Sequence, residues 1–167
     1  LSASDPRRAI EYTLQKADLL TVAYKHTSDK RYLQTAVGLY ESLARKMPTN
    51  SNILNNLAYL LAENDERLDE AQQYVERALD VKPDHAAYLD TYAFVLHRKG
   101  DHADAARFMA SAIQQYEMTG TPSATAYEHL GRIKEALGDQ RSALAAYRQA
   151  LELNDDERSD MTGRIAS

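Results

Sequence analysis

The chain has 167 residues, 44% of them hydrophobic and 27% charged, which fits a folded domain with a sizeable core. Its formal charge of -5, without a basic stripe, argues against a nucleic-acid surface, and no apolar run is long enough to cross a bilayer. Because it has no cysteine, disulfides, thiolate metal sites and cysteine nucleophiles are excluded. This composition fits the cytoplasm and a cell-envelope compartment equally, so localisation stays unassigned.

The first part of the chain predicts two helices. Ser4-Asp5-Pro6 is typical of a helix start, and an uninterrupted helix is predicted from Pro6 to His26. Its first half extends beyond the repeated pattern described below and is interpreted as an N-terminal cap, the alternative being an interface with upstream chain or with a second copy. A second helix is predicted from about Lys30 to Met47, followed by a turn at Pro48.

The middle of the chain, Asn55 to Pro83, predicts two amphipathic helices on either side of a turn at Asn64 to Arg67. Apolar residues recur there at the spacing of a helix with one buried face. Pro83 ends the second helix, and Asp84 is the predicted cap of the next one.

The last part predicts further helices separated by glycines. At Gly100-Asp101 and Gly138-Asp139, glycine should end one helix and aspartate should cap the next. Glu117 to Pro122 is a longer junction, interpreted as a surface insertion in which Thr121-Pro122 starts the next helix, with a functional loop as the alternative. A break is expected from Asn154 to Glu157. After it, Arg158 to Ile165 is expected to form a short helix that covers Leu151 with Met161 and Ile165.

One pattern recurs four times: a small residue, a large residue four positions on, a small or apolar residue three further, and then a stop. Its copies are Ala36, Tyr40, Leu43 and Pro48; Ala71, Val75, Ala78 and Pro83; Ala105, Met109, Ala112 and Glu117; and Ala143, Tyr147, Ala150 and Asp155. The leading alanines are 35, 34 and 38 residues apart. Twelve or thirteen residues before each of them lies another small residue: Ala23, Ala58, Ala93 and Gly131.

This chain resembles the tetratricopeptide repeat (TPR) family, which has a period of 34 residues, a small residue in helix A, and alanine and proline in helix B. No copy has the family's tryptophan, and the last two lack the proline. The resemblance implies an all-α, right-handed α-solenoid of about four helix-turn-helix repeats with capping extensions. The expected repeats are residues 16–49, 51–83, 86–118 and 124–155, with an N-terminal helical extension at 5–15 and a C-terminal tail or cap at 156–167.

The candidate catalytic and metal-binding residues do not form a recognisable site. The five histidines include no HExxH motif and no i, i+4 pair on one helix. Asp101, His102 and Asp104 are interpreted as residues that cap and solvate a helix start. The sequence therefore predicts no enzyme, no cofactor and no metal.

Aromatic residues follow the small position of three successive A helices, at Tyr24, Tyr59 and Phe94, and Arg132 takes the fourth place. In the TPR family this position faces the concave groove, as does the position of Asn55, Asp90 and Glu128. The predicted partner-binding residues are Tyr24, Asn55, Tyr59, Asp90, Phe94, Arg98, Glu128 and Arg132. Packing of these rings against neighbouring A helices is the alternative explanation. Asp90 and Phe94 stand where a carboxylate-binding groove would place cations, which argues against that type of ligand.

The resemblance implies a non-catalytic scaffold that binds a peptide or helical segment of another protein. The alternative is the TPR portion of a larger enzyme or envelope-assembly protein whose activity lies elsewhere. No nucleic-acid partner and no membrane insertion are expected. Homo-oligomerisation through the terminal helices stays open.

Overall fold

The computed structural model describes residues 6–165, with side chains described for residues 7–154, and this part of the chain consists of α-helices joined by short turns. The helices are α1 (Pro6–Thr27), α2 (Lys30–Lys46), α3 (Ser51–Glu63), α4 (Leu68–Val81), α5 (Ala86–Lys99), α6 (His102–Met118), α7 (Ala124–Ala136) and α8 (Gln140–Ile165). The described residues contain no β-strand. The predicted all-α class is confirmed.

The chain divides into two compact units, Leu1–Lys82 and Pro83–Ser167. In the first unit α1 packs against α2, and α3 packs against both α2 and α4. In the second unit α5 packs against α6, and α7 packs against α5, α6 and α8. Each unit therefore contains two helical hairpins, and its core is the interface of these four helices.

Small residues allow the helices of each hairpin to approach closely. Ala58 and Ala93 are 0% exposed, as their repeat positions predict. Gly131 is also buried, and a Cβ atom added there would lie 2.3 Å from Cε1 of Tyr147. These three small positions are therefore buried within their units. At Gly131 even a methyl group exceeds the available space.

A polar link joins the first three helices of the first unit. The hydroxyl of Tyr40 on α2 donates a hydrogen bond to Asp18 on α1 and accepts one of 3.3 Å from the side-chain amide of Asn56 on α3. Burial and the bond to Asp18 raise the pKa of Tyr40 well above its usual value. Tyr40 therefore stays neutral and remains a donor at physiological pH.

Helix starts differ from the prediction at three points. The carbonyl of His85, not Asp84, accepts the first bonds of α5, from the amides of Tyr88 and Leu89 at 2.9 and 3.0 Å. Asp101 begins α6 through its carbonyl, and its side chain makes no capping bond. These positions are set by where the backbone first closes a helical turn, which a capping side chain favours but does not impose.

The third difference is at α7. Its N-cap is Ser123, whose hydroxyl accepts from the amide of Ala126 at 3.2 Å, so Thr121-Pro122 belongs to the preceding turn. The other glycine-aspartate junction is as predicted. Gly138 has a φ of 77°, and the Asp139 carboxylate accepts from the amide of Ser142 at 3.1 Å. The predicted caps Ser4 and Asp5 lie outside the described residues.

The break predicted at Asn154 to Glu157 is not present, because α8 runs without interruption to Ile165. Between Gly138 and Gly163 the chain has neither glycine nor proline, so nothing interrupts the helical hydrogen bonds. Leu151 remains 64% exposed, contrary to the expectation that a separate helix covers it. The side chains of Met161 and Ile165 lie outside those described.

Two helical glycines allow a matched test of helix approach. We expect Gly131→Ala to lower the free energy of unfolding by about 1–3 kcal/mol, because the ring of Tyr147 must move. We expect Gly38→Ala to raise it by about 0.5–1 kcal/mol, because no neighbouring atom lies within 4 Å of the added Cβ and alanine favours the helix. Chemical denaturation followed by circular dichroism measures both. Equal effects of the two substitutions would contradict close packing at Gly131.

Candidate functional site

In the first unit, the predicted aromatic residues Tyr24 and Tyr59 lie on its two A helices, α1 and α3. Tyr24 and Tyr59 are half-buried, so each ring retains an accessible part. The Lys25 ammonium lies 5.1 Å from the centroid of the Tyr59 ring, within range of a cation–π interaction. Asn55 is 8% exposed, and its side-chain oxygen has no hydrogen-bond partner among the described residues. Tyr24, Lys25, Asn55 and Tyr59 are called the first-unit patch, and the Lys25–Tyr59 contact is its link between α1 and α3.

The second unit contains a buried hydrogen-bonded pair that sequence reasoning did not anticipate. Nδ1 of His129 on α7 lies 2.7 Å from a carboxylate oxygen of Asp90 on α5, and both residues are buried. The His129 ring stacks on Phe94, with centroids 4.3 Å apart and planes 16° from parallel. Because a buried carboxylate needs a compensating donor, this contact links α5 to α7.

The position of Phe94 corrects one part of the predicted surface. Phe94 is 1% exposed because His129 covers its ring, so it offers no accessible face to a ligand. Its ring instead supports Arg98, whose guanidinium carbon lies 6.0 Å from the ring centroid. The alternative explanation given above, packing between A helices, therefore holds at Phe94.

Three histidines and two arginines concentrate in this part of the second unit. The ring centroids of His97 and His102 are 4.9 Å apart. Burial lowers the pKa of His97 to about 4, with further contributions from His102, Arg98, His129 and Arg132. His97 is therefore neutral in the folded protein at pH 7. No group of three or more metal-ligating residues occurs within the described range.

Glu128 and Arg132 lie at an open groove of about 370 Å³ between α7 and α8. Tyr147, Ala150 and Leu151 complete its lining. The Tyr147 hydroxyl donates a 2.6 Å hydrogen bond to Glu135, and burial together with this bond raises the pKa of Tyr147 to about 12. The groove thus offers an apolar floor with charges of both signs at its edge.

His129 is the residue that the sequence reasoning missed, yet the repeat spacing carries a signal for it. Asp90 and His129 are 39 residues apart, one more than the 38-residue step between the last two repeats. They therefore occupy adjacent positions in successive A helices. A carboxylate and an imidazole at such positions can pair when the two helices pack together.

Comparison with known proteins identifies the family. Two tetratricopeptide repeat family models match, one over residues 32–94 and the other over residues 84–156. The chain belongs to the tetratricopeptide repeat family. This confirms the resemblance inferred from the repeated small residues. None of the helices in the described part of this TPR chain is long and apolar enough to traverse a lipid bilayer.

The similar proteins are longer than this chain, and their sequence identity to it is limited. A TPR repeat-containing protein of Pseudomonas aeruginosa is 36% identical over 84 residues, which is 50% of this chain and 13% of that protein. Human tetratricopeptide repeat protein 7B is 26% identical over 118 residues, 71% of this chain and 13% of its own. The TPR chain thus spans about an eighth of the length of these two relatives.

Solved structures show the same fold at low identity. MamA of Desulfovibrio magneticus matches with a TM-score of 0.63 and 15% identity, over 88% of this chain and 76% of that one. An O-GlcNAc transferase of Thermobaculum terrenum matches with a TM-score of 0.63 and 16% identity, over 80% of this chain and 23% of the transferase. At such identities the likeness is one of fold alone.

The histidine cluster predicts a loss of stability in mild acid. Since the pKa of folded His97 lies near 4 and the ordinary value is 6.5, the unfolded chain binds its proton first. The contribution of neutral His97 is complete above pH 6.5 and decreases as the pH falls toward 4. Between pH 7 and pH 5 we expect a loss of about 1–2 kcal/mol from this residue.

Denaturant unfolding at pH 7 and pH 5 tests this, comparing wild type with His97→Gln. The substitution should reduce the pH dependence, whereas His26→Gln, at an exposed position of α1, should leave it unchanged. If wild type and His97→Gln lose the same stability between the two pH values, the assignment to His97 is incorrect.

Proposed function

We propose that this TPR chain is a non-catalytic scaffold that binds a peptide or helical segment of another protein on its A helices. The observation that carries the proposal is the patch in the first unit. Tyr24 and Tyr59 keep accessible ring surface at equivalent positions of two rigid helices, and Lys25 lies over the second ring. Aromatic rings held in this way lose little conformational entropy on binding and are frequent anchors of interfaces.

The predicted residues have different roles in the two units, and each unit is considered by itself. In the first unit Tyr24 and Tyr59 are the anchors, whereas the side-chain oxygen of Asn55 is buried and lies beneath the surface that a ligand reaches. Within the second unit, Arg98, Glu128 and Arg132 provide charge. Asp90 and Phe94 are buried, and their contacts position His129 and Arg98.

The chemistry of these side chains defines the class of partner. Accessible rings favour apolar or aromatic ligand residues, and the lysine beside them favours a neighbouring carboxylate. A segment with one or two large apolar residues next to an acidic one fits the patch in the first unit. Affinity should be modest, of order micromolar or about 8 kcal/mol, because the patch is small.

A second candidate function is the TPR portion of a larger enzyme or envelope-assembly protein. It is favoured by the small share of the curated relatives that the chain spans. The two candidates are compatible if the scaffold recruits a substrate or a partner for another domain. The sequence of the parent gene on either side of this chain distinguishes them.

Selection from a phage-displayed library of random 12-residue peptides, followed by fluorescence anisotropy, tests the tyrosine patch. We expect Tyr24→Ala with Tyr59→Ala to weaken the selected peptides by about ten- to hundredfold, since each anchor contributes about 1–3 kcal/mol. The control is Tyr12→Ala with Tyr32→Ala, which also removes two accessible tyrosines but from a different groove. Circular dichroism establishes that both variants remain folded.

Peptides that lose affinity only with the first pair support the patch. Equal affinity for wild type and the Tyr24, Tyr59 variant would place binding elsewhere and end the proposal for these residues. The absence of any selected peptide at about millimolar sensitivity would also count against a peptide-binding function.

A further inference from the structure

Helix α1 exposes a set of apolar residues that the same repeat positions bury elsewhere. Leu19 and Val22 are 74% and 53% exposed. Thirty-five residues later, at the equivalent positions of α3, Leu54 and Leu57 are each 0% exposed. Helix α3 packs against α2, the B helix that precedes it, as well as against α4. The exposed side of α1 is therefore the side that a preceding B helix covers in an inner repeat.

This side of α1 also has the shape of a docking site. A groove of about 420 Å³ runs along it and is lined mainly by apolar groups. Its lining residues are Tyr12, Gln15, Lys16, Leu19, Leu20, Ala23 and Tyr32. A continuous exposed apolar surface is characteristic of sites that bind another protein element.

The last hairpin, α7–α8, exposes the surface against which a following A helix would pack. Leu144 and Leu151, seven residues apart on α8, are 52% and 64% exposed, and Leu151 lines the groove with Glu128 and Arg132. In the preceding repeat, 38 residues earlier, the equivalents of Glu128 and Arg132 are Asp90 and Phe94.

Asp90 and Phe94 are covered by the A helix that follows them. His129 of α7 pairs with the first and stacks on the second. The α7–α8 groove thus corresponds to the place that an A helix occupies on α5–α6. It is open at the last repeat among the described residues.

We propose that the chain associates with a second copy head to tail, with α1 of one copy in the α7–α8 groove of the other. The incoming α1 takes the place relative to α7–α8 that α7 takes relative to α5–α6. Leu19 and Val22 then face α8, and Leu151 is covered. The chain already makes this kind of contact within each unit, between α2 and α3 and between α6 and α7.

When two copies associate through different surfaces, the complex still has one free α1 side and one free α7–α8 groove. The assembly therefore grows beyond a dimer unless rotation closes a ring. This property distinguishes the proposal from a symmetric contact of α1 with α1, which stops at two copies. It also allows a complementation experiment.

Analytical ultracentrifugation of the full chain over a concentration series tests the proposal. Wild type should show dimers and larger species as concentration rises. Leu19→Glu and Leu151→Glu should each weaken association by about tenfold or more, because each places a charge in an apolar contact. Met118→Glu is the matched control: Met118 is 72% exposed but lies on neither surface, so association should persist.

An equimolar mixture of the Leu19→Glu and Leu151→Glu chains gives the decisive result. Each chain retains one intact surface, so the mixture should form a dimer and nothing larger, at concentrations at which neither chain associates alone. The proposal is overturned if wild type stays monomeric up to about 1 mM. It is also overturned if only Leu19→Glu prevents association, which indicates a symmetric α1 contact, or if the mixture stays monomeric.

Discussion

The structure depends on how closely the two helices of a hairpin can approach. Where the two helices of a hairpin cross, the A helix has alanine or glycine. Gly131 has no room even for a Cβ atom beside Tyr147. Close approach lets the flanking large residues interlock at the density of a protein core, which a single exposed hairpin cannot achieve. The period of the small residues therefore fixes the spacing of the repeats, and loop length can vary, as between Glu117 and Pro122, without changing the packing.

Much of this architecture can be predicted from sequence because it follows from local patterns. The period of the small residues predicts the hairpins, and the glycines at 100 and 138 predict helix ends with positive φ, as observed. The start of α5 at His85 and the continuity of α8 through Asn154 were not predicted. Turn residues and charged runs only bias where a helix begins or ends, and the competing hydrogen-bond patterns differ by little free energy.

At the candidate site, the repeat pattern does not predict which residues are exposed. The accessible rings of Tyr24 and Tyr59 follow from their repeat position, but the same position buries Phe94. The difference arises from one residue in the next repeat, His129, which finds a partner in Asp90 and covers the ring. Exposure at a given repeat position is thus decided by side chains more than thirty residues away, and a pattern read within one repeat does not contain that information.

The packing of each helix mainly against its neighbours in the chain also determines how the protein forms. In the first unit, α1 through α4 make their tertiary contacts with helices adjacent in sequence, so few long loops must close before native contacts appear. Such topologies have low contact order and fold rapidly. During synthesis, α1 to α4 can pack against one another before the second unit has left the ribosome. Apolar surface of the nascent chain is then buried early, which limits the time available for aggregation.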